Sequence, residues 1–281
     1  MTILELKEIF SNGTSSLYTN SEIAFIFSIF SEQILGLNPI QLKQSLSENI
    51  DFEQEEKFKN IISELKTGKP YLQILGETEF YGMKIFVNEN VLIPRPETEE
   101  LLELAIKKIQ DSTIENLKIL DIGTGSGIIP LVLKKHFPKA EVSSIDFSKE
   151  ALEVAQKNAN FHQLDINFIH ADYLSFNLNE NYDVIISNPP YIGIDEENEI
   201  ADSVKEFEPK MALFSPTSDA LIFYKKIAED AALHLNENGW VFLEINQLLG
   251  KETLALYSTV LKEAELLKDL SDNDRFVMGK K

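Results

Sequence analysis

The segment Asp121-Ile122-Gly123-Thr124-Gly125-Ser126-Gly127 constrains this chain more than any other part of it. It comes after an apolar run, Leu117 to Ile122, and opens a helix that reaches about Phe137. Its glycines let the backbone bend sharply and bring N–H groups close to a ligand. A dinucleotide-binding turn spaces its glycines G-x-G-x-x-G, whereas here the third glycine comes one residue earlier. No lysine of the P-loop kind stands after it. The turn therefore fits a nucleoside with a small polar tail better than a pyrophosphate.

Beyond the turn, strands and helices alternate. Ala140 to Asp146 reads as a strand, and Ser148 as the cap of a helix through about Phe161. Ile166 to Ala171, Tyr182 to Ser187 and Gly239 to Ile245 are further strand candidates, with a helix from about Ser218 to Leu235. This order predicts an α/β fold with a mainly parallel sheet covered by helices on both faces. Asp146 stands at a strand end, 19 residues beyond Gly127, where a carboxylate can accept both hydroxyls of a ribose. Asp172 and Tyr173 come after the next strand, placed to meet the amino group of an adenine or stack on its ring. An acid that merely precedes a capped helix, and a solvated loop Asp172, are the plainer readings.

Ser187-Asn188-Pro189-Pro190-Tyr191 closes the apolar strand Val184-Ile185-Ile186. Consecutive prolines fix two φ angles and aim the Pro189 carbonyl in a set direction. The Asn188 side-chain oxygen can converge on the same point, and two acceptors there would hold an NH2 group by its hydrogens. An amide or ring-amino nitrogen is a poor nucleophile because its lone pair is delocalised. Acceptors that draw its hydrogens out of plane favour the more pyramidal nitrogen that methyl transfer requires. Tyr191 supplies an aromatic wall for a planar substrate. A rigid strand-to-loop turn is the alternative, and the position beside the glycine turn favours chemistry.

The residues ahead of this region have a different character. Ile23, Ile26, Phe27, Phe30 and Ile34 recur at helical spacing, with Ser21 as candidate cap and Gly36 past the end. A second helix from Asp51 places Phe52, Phe58, Ile61, Ile62 and Leu65 on one side and stops at Gly68-Lys69-Pro70. Met83, Ile85 and Val87 then alternate with Lys84 and Phe86 in a hairpin turning at Tyr81-Gly82. Pro94-Arg95-Pro96 stiffens the chain before a helix carrying Leu101, Leu102, Ala105, Ile106 and Ile109, and Pro96 suits its first turn. The expected division is a helical domain over 1–75, a hairpin linker over 76–93 and a ligand-binding domain over 94–281. The helical domain is the expected site of partner recognition.

Composition narrows the classes. With no cysteine, disulfides, thiolate metal sites and a cysteine nucleophile are excluded. The net charge of -20 makes a phosphate backbone an unfavourable partner. No apolar run of about 18 residues is present, so a cytoplasmic protein without membrane spans is expected. His136, His162, His170 and His234 are scattered, and no metal site is expected. Asp195-Glu196-Glu197-Asn198-Glu199 reads as a solvated acidic loop, Trp240 as packing, and Glu97 and Thr98 as either helix-start residues or neighbours of the pocket.

Taken with Phe80-Tyr81-Gly82, Leu92-Ile93-Pro94-Arg95-Pro96-Glu97-Thr98-Glu99 and Phe207-Glu208-Pro209, these motifs give a resemblance in order along the chain. The sequence resembles the HemK/PrmC family, the N5-glutamine methyltransferases that modify class-I peptide chain release factors. The resemblance implies a Rossmann-like class I methyltransferase sheet of seven strands and S-adenosyl-L-methionine as cofactor. By position, Gly123 to Gly127, Asp146, Tyr173 and Asn188 would touch the cofactor, and Asn188, Pro189, Pro190 and Tyr191 the glutamine of a Gly-Gly-Gln loop. Two departures stand out: Glu244-Ile245-Asn246-Gln247 where the family often has Glu-x-Gly, and Asp219-Ala220 where it often has Asp-Gly. A ribosomal-protein glutamine, an adenine amino group of nucleic acid, or a non-catalytic cofactor-binding role are the competing expectations.

Overall fold

The computed structural model describes residues 1–111, 116–190, 207–215 and 217–281, which fall into two compact units, Met1–Gly76 and Glu77–Lys281.

The first unit is helical: α1 (Ile3–Thr14), α2 (Asn20–Leu35), α3 (Pro39–Gln44), α4 (Phe52–Lys66) and α5 (Tyr71–Leu75). Local chemistry starts α1 to α4, because Thr2, Thr19, Asn38 and Asp51 each form a reciprocal capping box with a Glu or Gln three positions on. The cap of α2 is thus Thr19, not Ser21, since only Thr19 has Glu22 at the third helical position. Gly36 closes α2 in the left-handed conformation, as its place past the last apolar residue predicts. Phe10, Phe27 and Phe58 meet at ring-centroid distances of 5.4 to 6.4 Å and centre this unit's core. Phe52 does not join them: it is 76% exposed, because the first position of α4 points away from the face of Phe58, Ile61, Ile62 and Leu65.

The second unit opens with the hairpin β1 (Glu77–Phe80) and β2 (Met83–Phe86), whose two-residue turn holds Tyr81 at φ 52° and Gly82 at φ 63°. Met83, Ile85 and Val87 are buried and share one core with Leu101, Leu102, Ala105, Ile106 and Ile109 of α6 (Pro96–Gln110). Then come β3 (Lys118–Ile122), α7 (Ile128–His136), β4 (Glu141–Asp146), α8 (Lys149–His162), β5 (Asn167–His170) and β6 (Tyr182–Ser187). The chain continues through α9 (Lys210–Leu213), α10 (Ile222–His234), β7 (Leu235–Glu244), α11 (Gly250–Tyr257), β8 (Glu265–Lys268) and β9 (Asp274–Lys280). Helix α10 begins later than expected, because Asp219 accepts from Leu221 N and from Lys225 and holds a turn ahead of it.

These strands form a seven-stranded sheet of order β5-β4-β3-β6-β7-β9-β8. The first five are parallel, and β9 pairs antiparallel with both β7 and β8. Apolar side chains of β3, β6 and β7 are buried on both faces, as a central parallel sheet demands. From β3 the chain winds outward through β4 and β5, then returns to place β6 on the other side of β3. That reversal opens a crevice at the C-terminal ends of β3 and β6, where open α/β sheets bind their ligands. No helix among the described residues is long and apolar enough to cross a membrane.

Candidate active site

The two strands at the reversal are locked at their ends. Ile122 and Ser187 are register partners, and the Ser187 hydroxyl donates to the Ile122 carbonyl at 2.6 Å. The next residues, Gly123 and Asn188, are therefore neighbours: a Cβ on Gly123 would lie 3.6 Å from the Asn188 carbonyl oxygen. Gly123 and Thr124 donate their N–H groups to the Ile145 carbonyl, which folds the turn over the end of β4. At the far end of the turn Gly127 has φ 86°, and an added Cβ would approach Ala155 Cβ to 3.1 Å. Helix α7 and helix α8 can pack this closely only because the position lacks a side chain.

Asp146 is held where the strand pattern placed it. One carboxylate oxygen accepts from Gly125 N and the other from Ser148 N, both at 2.8 Å. Burial raises its pKa, and these backbone bonds pull it back. Beneath the turn, the Thr124 hydroxyl bonds that of Ser144, which donates to Asp121 Oδ2. Asp121 is fully buried, and desolvation pushes its pKa up to about 7 against the pull of the Ser144 bond. Asn158 of α8, also fully buried, donates to the Ser126 carbonyl at 2.9 Å and to the Phe86 carbonyl at 3.0 Å, and accepts from Phe86 N at 2.7 Å.

Across the crevice Asn188 is half-buried and Pro189 buried. The Asn188 amide donates to Thr98 Oγ1 at 3.2 Å, and the Thr98 hydroxyl donates to Glu244 Oε2 at 2.8 Å. Thr98 and Glu244 are almost wholly buried. Desolvation pushes Glu244 up to about 7; the Thr98 bond, Arg275 and the Asn188 bond pull it down, while Glu97 opposes them.

One cleft of about 570 Å³ collects most of the residues singled out by the motifs. Gly123, Thr124, Gly125, Ser126, Asp146, Asp172, Tyr173, Asn188, Pro189 and Pro190 all line it. Gly127 is set back, and works through packing. Asp172 is exposed at the lip, its carboxylate engaged by Leu174 N and the Ser175 hydroxyl at 3.1 Å each. Tyr173 is buried with its hydroxyl donated to Asp230 at 2.6 Å, so only the rest of the residue borders the cleft. Tyr191 and the acidic run Asp195 to Glu199 lie outside the described residues.

Three features go beyond the roles that sequence reasoning assigned; Thr98, read as a helix-start residue or a neighbour of the pocket, is both, standing in the first turn of α6 and lining the cleft. Phe147 and Met211, 59% and 50% exposed, form an apolar mouth beyond Asp146. Arg95 pairs with Glu208 at 2.6 Å, and Glu208 also accepts from Ile93 N at 3.1 Å. The third is the run from Asn188 through Thr98 to Glu244. Thr98 and Glu208 both fall within the motifs that carry the resemblance, but nothing in a linear sequence tells which partners they meet.

Fold and site together define a Rossmann-like class I methyltransferase. The family model described as "Methyltransferase small domain" matches residues 100–206. A crystal structure of a methyltransferase from Pyrococcus furiosus superposes with a TM-score of 0.51 at 17% identity, over 72% of this chain and 90% of that one. The release factor glutamine methyltransferase of Flavobacterium psychrophilum is 44% identical over 99% of this chain and 98% of its own length. That of Streptococcus pneumoniae is 38% identical over 98% of both. The chain belongs to the release factor glutamine methyltransferase family.

Proposed function

We propose that this protein transfers a methyl group from S-adenosyl-L-methionine to the side-chain amide nitrogen of the glutamine in the Gly-Gly-Gln motif of class-I peptide chain release factors. The observation that carries the reading is the juxtaposition of Asn188 and Gly123 at the reversal of the sheet. It puts an amide-recognising acceptor and a nucleoside-sized cradle in one cleft.

The residues fit the cofactor. Gly125 leaves open space where a Cβ would stand, so a ligand can approach the turn's backbone. The Asp146 carboxylate keeps acceptor capacity beyond its backbone bonds from Gly125, Phe147 and Ser148, which suits the paired hydroxyls of a ribose. Phe147 and Met211 offer apolar surface for a flat base. When bound, S-adenosyl-L-methionine supplies an electrophilic methyl on a sulfonium.

The protein's own part is orientation. The Asn188 Oδ1 and the Pro189 carbonyl accept the two hydrogens of the substrate NH2, which presents the nitrogen's remaining face to the turn. The hydrogens so held favour the pyramidal geometry of the transferring nitrogen, and this stabilisation needs no general base. The N–C bond would form at the expense of the cofactor's S–CH3 bond, leaving a neutral thioether, while the nitrogen gives up one proton to water to yield the N5-methyl amide. Tyr191 is proposed as the wall against which the planar amide lies.

The acidic net charge of -20 supports a protein substrate over a nucleic acid. The helical unit, which has its own core, is proposed as the part that holds the partner. Removing residues 1–76 should then weaken turnover of the protein substrate while sparing cofactor affinity, and equal turnover would leave the unit a packing role only.

The test is mass spectrometry of a class-I release factor incubated with this protein and S-adenosyl-L-methionine, beside an N188A control. A single methyl on the Gly-Gly-Gln glutamine, absent in the control, is the expected result. No methyl on a protein shown to bind the cofactor would reject the release factor and direct the search to a ribosomal-protein glutamine.

A further inference from the structure

An asparagine side chain can present either its oxygen or its NH2 to a ligand with almost no change of shape. Recognition of a substrate NH2 requires the oxygen, so something must choose between the two. The choice is made by Thr98, which borders the same cleft as Asn188. Thr98 Oγ1 lies 3.2 Å from Asn188 Nδ2 and 2.8 Å from Glu244 Oε2, and both Thr98 and Glu244 are shut away from solvent.

With Glu244 ionised, above about pH 7, the donor and acceptor count allows one arrangement, and the Asn188 amide also bonds Glu244 itself. An ionised carboxylate only accepts, so the single proton of the Thr98 hydroxyl goes to Glu244. Thr98 is left with lone pairs toward Asn188, and only the NH2 end can meet them. The reversed amide would set oxygen against oxygen in a buried place and leave a hydrogen bond unmade there. The three residues come from distant parts of the chain: α6, the end of β6 and the end of β7.

We infer that Thr98 and Glu244 are positioning residues for the transfer, acting together to hold the Asn188 amide with its oxygen toward the cleft. This rests on the proposed amide-nitrogen reading of the site. Neither residue is itself assigned to the cofactor, so a loss of turnover with cofactor affinity kept is the signature of their role.

The experiment compares wild type with T98V, which keeps the shape but neither donates nor accepts, and with T98S, which keeps the hydroxyl. T98V should lower kcat on the release factor about 10-fold or more with cofactor Kd within about 2-fold, and T98S should recover most of the rate. A T98V enzyme with wild-type kcat, or one whose kcat and cofactor affinity fall in step, overturns the inference. T98A serves as the smaller variant should T98V fail to fold. An independent readout uses no substrate: in protein labelled with 15N-asparagine, the Asn188 NH2 resonance, identified by its loss in N188A, should show an NOE to the Thr98 methyl. Its absence overturns the inference whatever the activity. Its presence in a wild type that leaves the release factor unmodified would sustain the inference and reject the substrate.

Discussion

Arg95 and Glu208 stand 113 positions apart in the chain and 2.6 Å apart in the folded protein. Glu208 is the buried member, and its second oxygen accepts from Ile93 N, so one carboxylate anchors both the segment that leads into α6 and the segment ahead of α9. Arg95 keeps partial access to water and can rehydrate; the Ile93 N–H cannot. Glu208→Ala should therefore cost about 1–3 kcal/mol, mostly through that stranded donor. Urea unfolding would show it as a lower midpoint with unchanged slope, and no shift would mean that water takes over both bonds.

The two glycines of the turn that lie on either side of Ser126 should respond differently to alanine. Gly127 has φ 86° and would press a methyl to 3.1 Å from Ala155 Cβ and 3.2 Å from its Cα. Conformational strain and overpacking add there, and G127A should lose about 2 kcal/mol or more of stability. Gly125 has φ 53° and open space, so G125A should cost only about 1–2 kcal/mol of strain. Its methyl would stand in the cleft instead, and cofactor affinity should drop more than stability. Calorimetric unfolding and titration on both variants check the contrast, and equal stability losses would refute it.

Asp146→Asn keeps the size of the side chain but turns one acceptor into a donor facing a backbone N–H. Either Gly125 N or Ser148 N then loses its partner. Affinity for S-adenosyl-L-methionine should fall about 10- to 100-fold, the range for losing charge-assisted bonds. Isothermal titration measures it, and wild-type affinity would remove Asp146 from the proposed ribose site.

Burial lifts Glu244 to about 7 from an ordinary 4.5 and Asp121 to about 7 from 3.8. Between those values the native state keeps protons that the unfolded chain has released. Their contribution to stability is thus fully present at low pH and is lost as pH climbs to about 7, by up to about 1.4 kcal/mol per unit for each group. E244Q removes one of the two. The stability of wild type minus that of E244Q should decline from about pH 4.5 to 7 and then level off. A difference that stays flat over that window would mean that Glu244 titrates at its ordinary value.

Much of the fold and the site is legible in the sequence because it is local. The glycine turn, the Asp146 strand end and the Asn188-Pro189-Pro190 turn each announce themselves within a few residues, and parallel strands bring their C-terminal ends together as a matter of topology. The strands β8 and β9 escape a residue-level reading, although the resemblance implies seven strands. Glu265 to Lys268 is short and half-exposed, and Phe276-Val277-Met278 is an apolar run too brief to separate from a helix segment. Phe52 falls on the wrong face because periodicity blurs at a helix's first residue. The run from Asn188 to Glu244 is out of reach for a different reason, since its members meet only across three elements.

Asn158 gives the molecule a lasting constraint. Its one amide serves both backbone groups of Phe86 and the carbonyl of Ser126, so the base of the hairpin and the glycine turn hang from the same side chain. An extra residue at the Tyr81-Gly82 tip would leave those three bonds untouched. One inserted between Met83 and Phe86 would swap the strand's inner and outer faces and tear Phe86 from its mooring. The stretch from tip to base must therefore keep its count for as long as the turn must hold its shape.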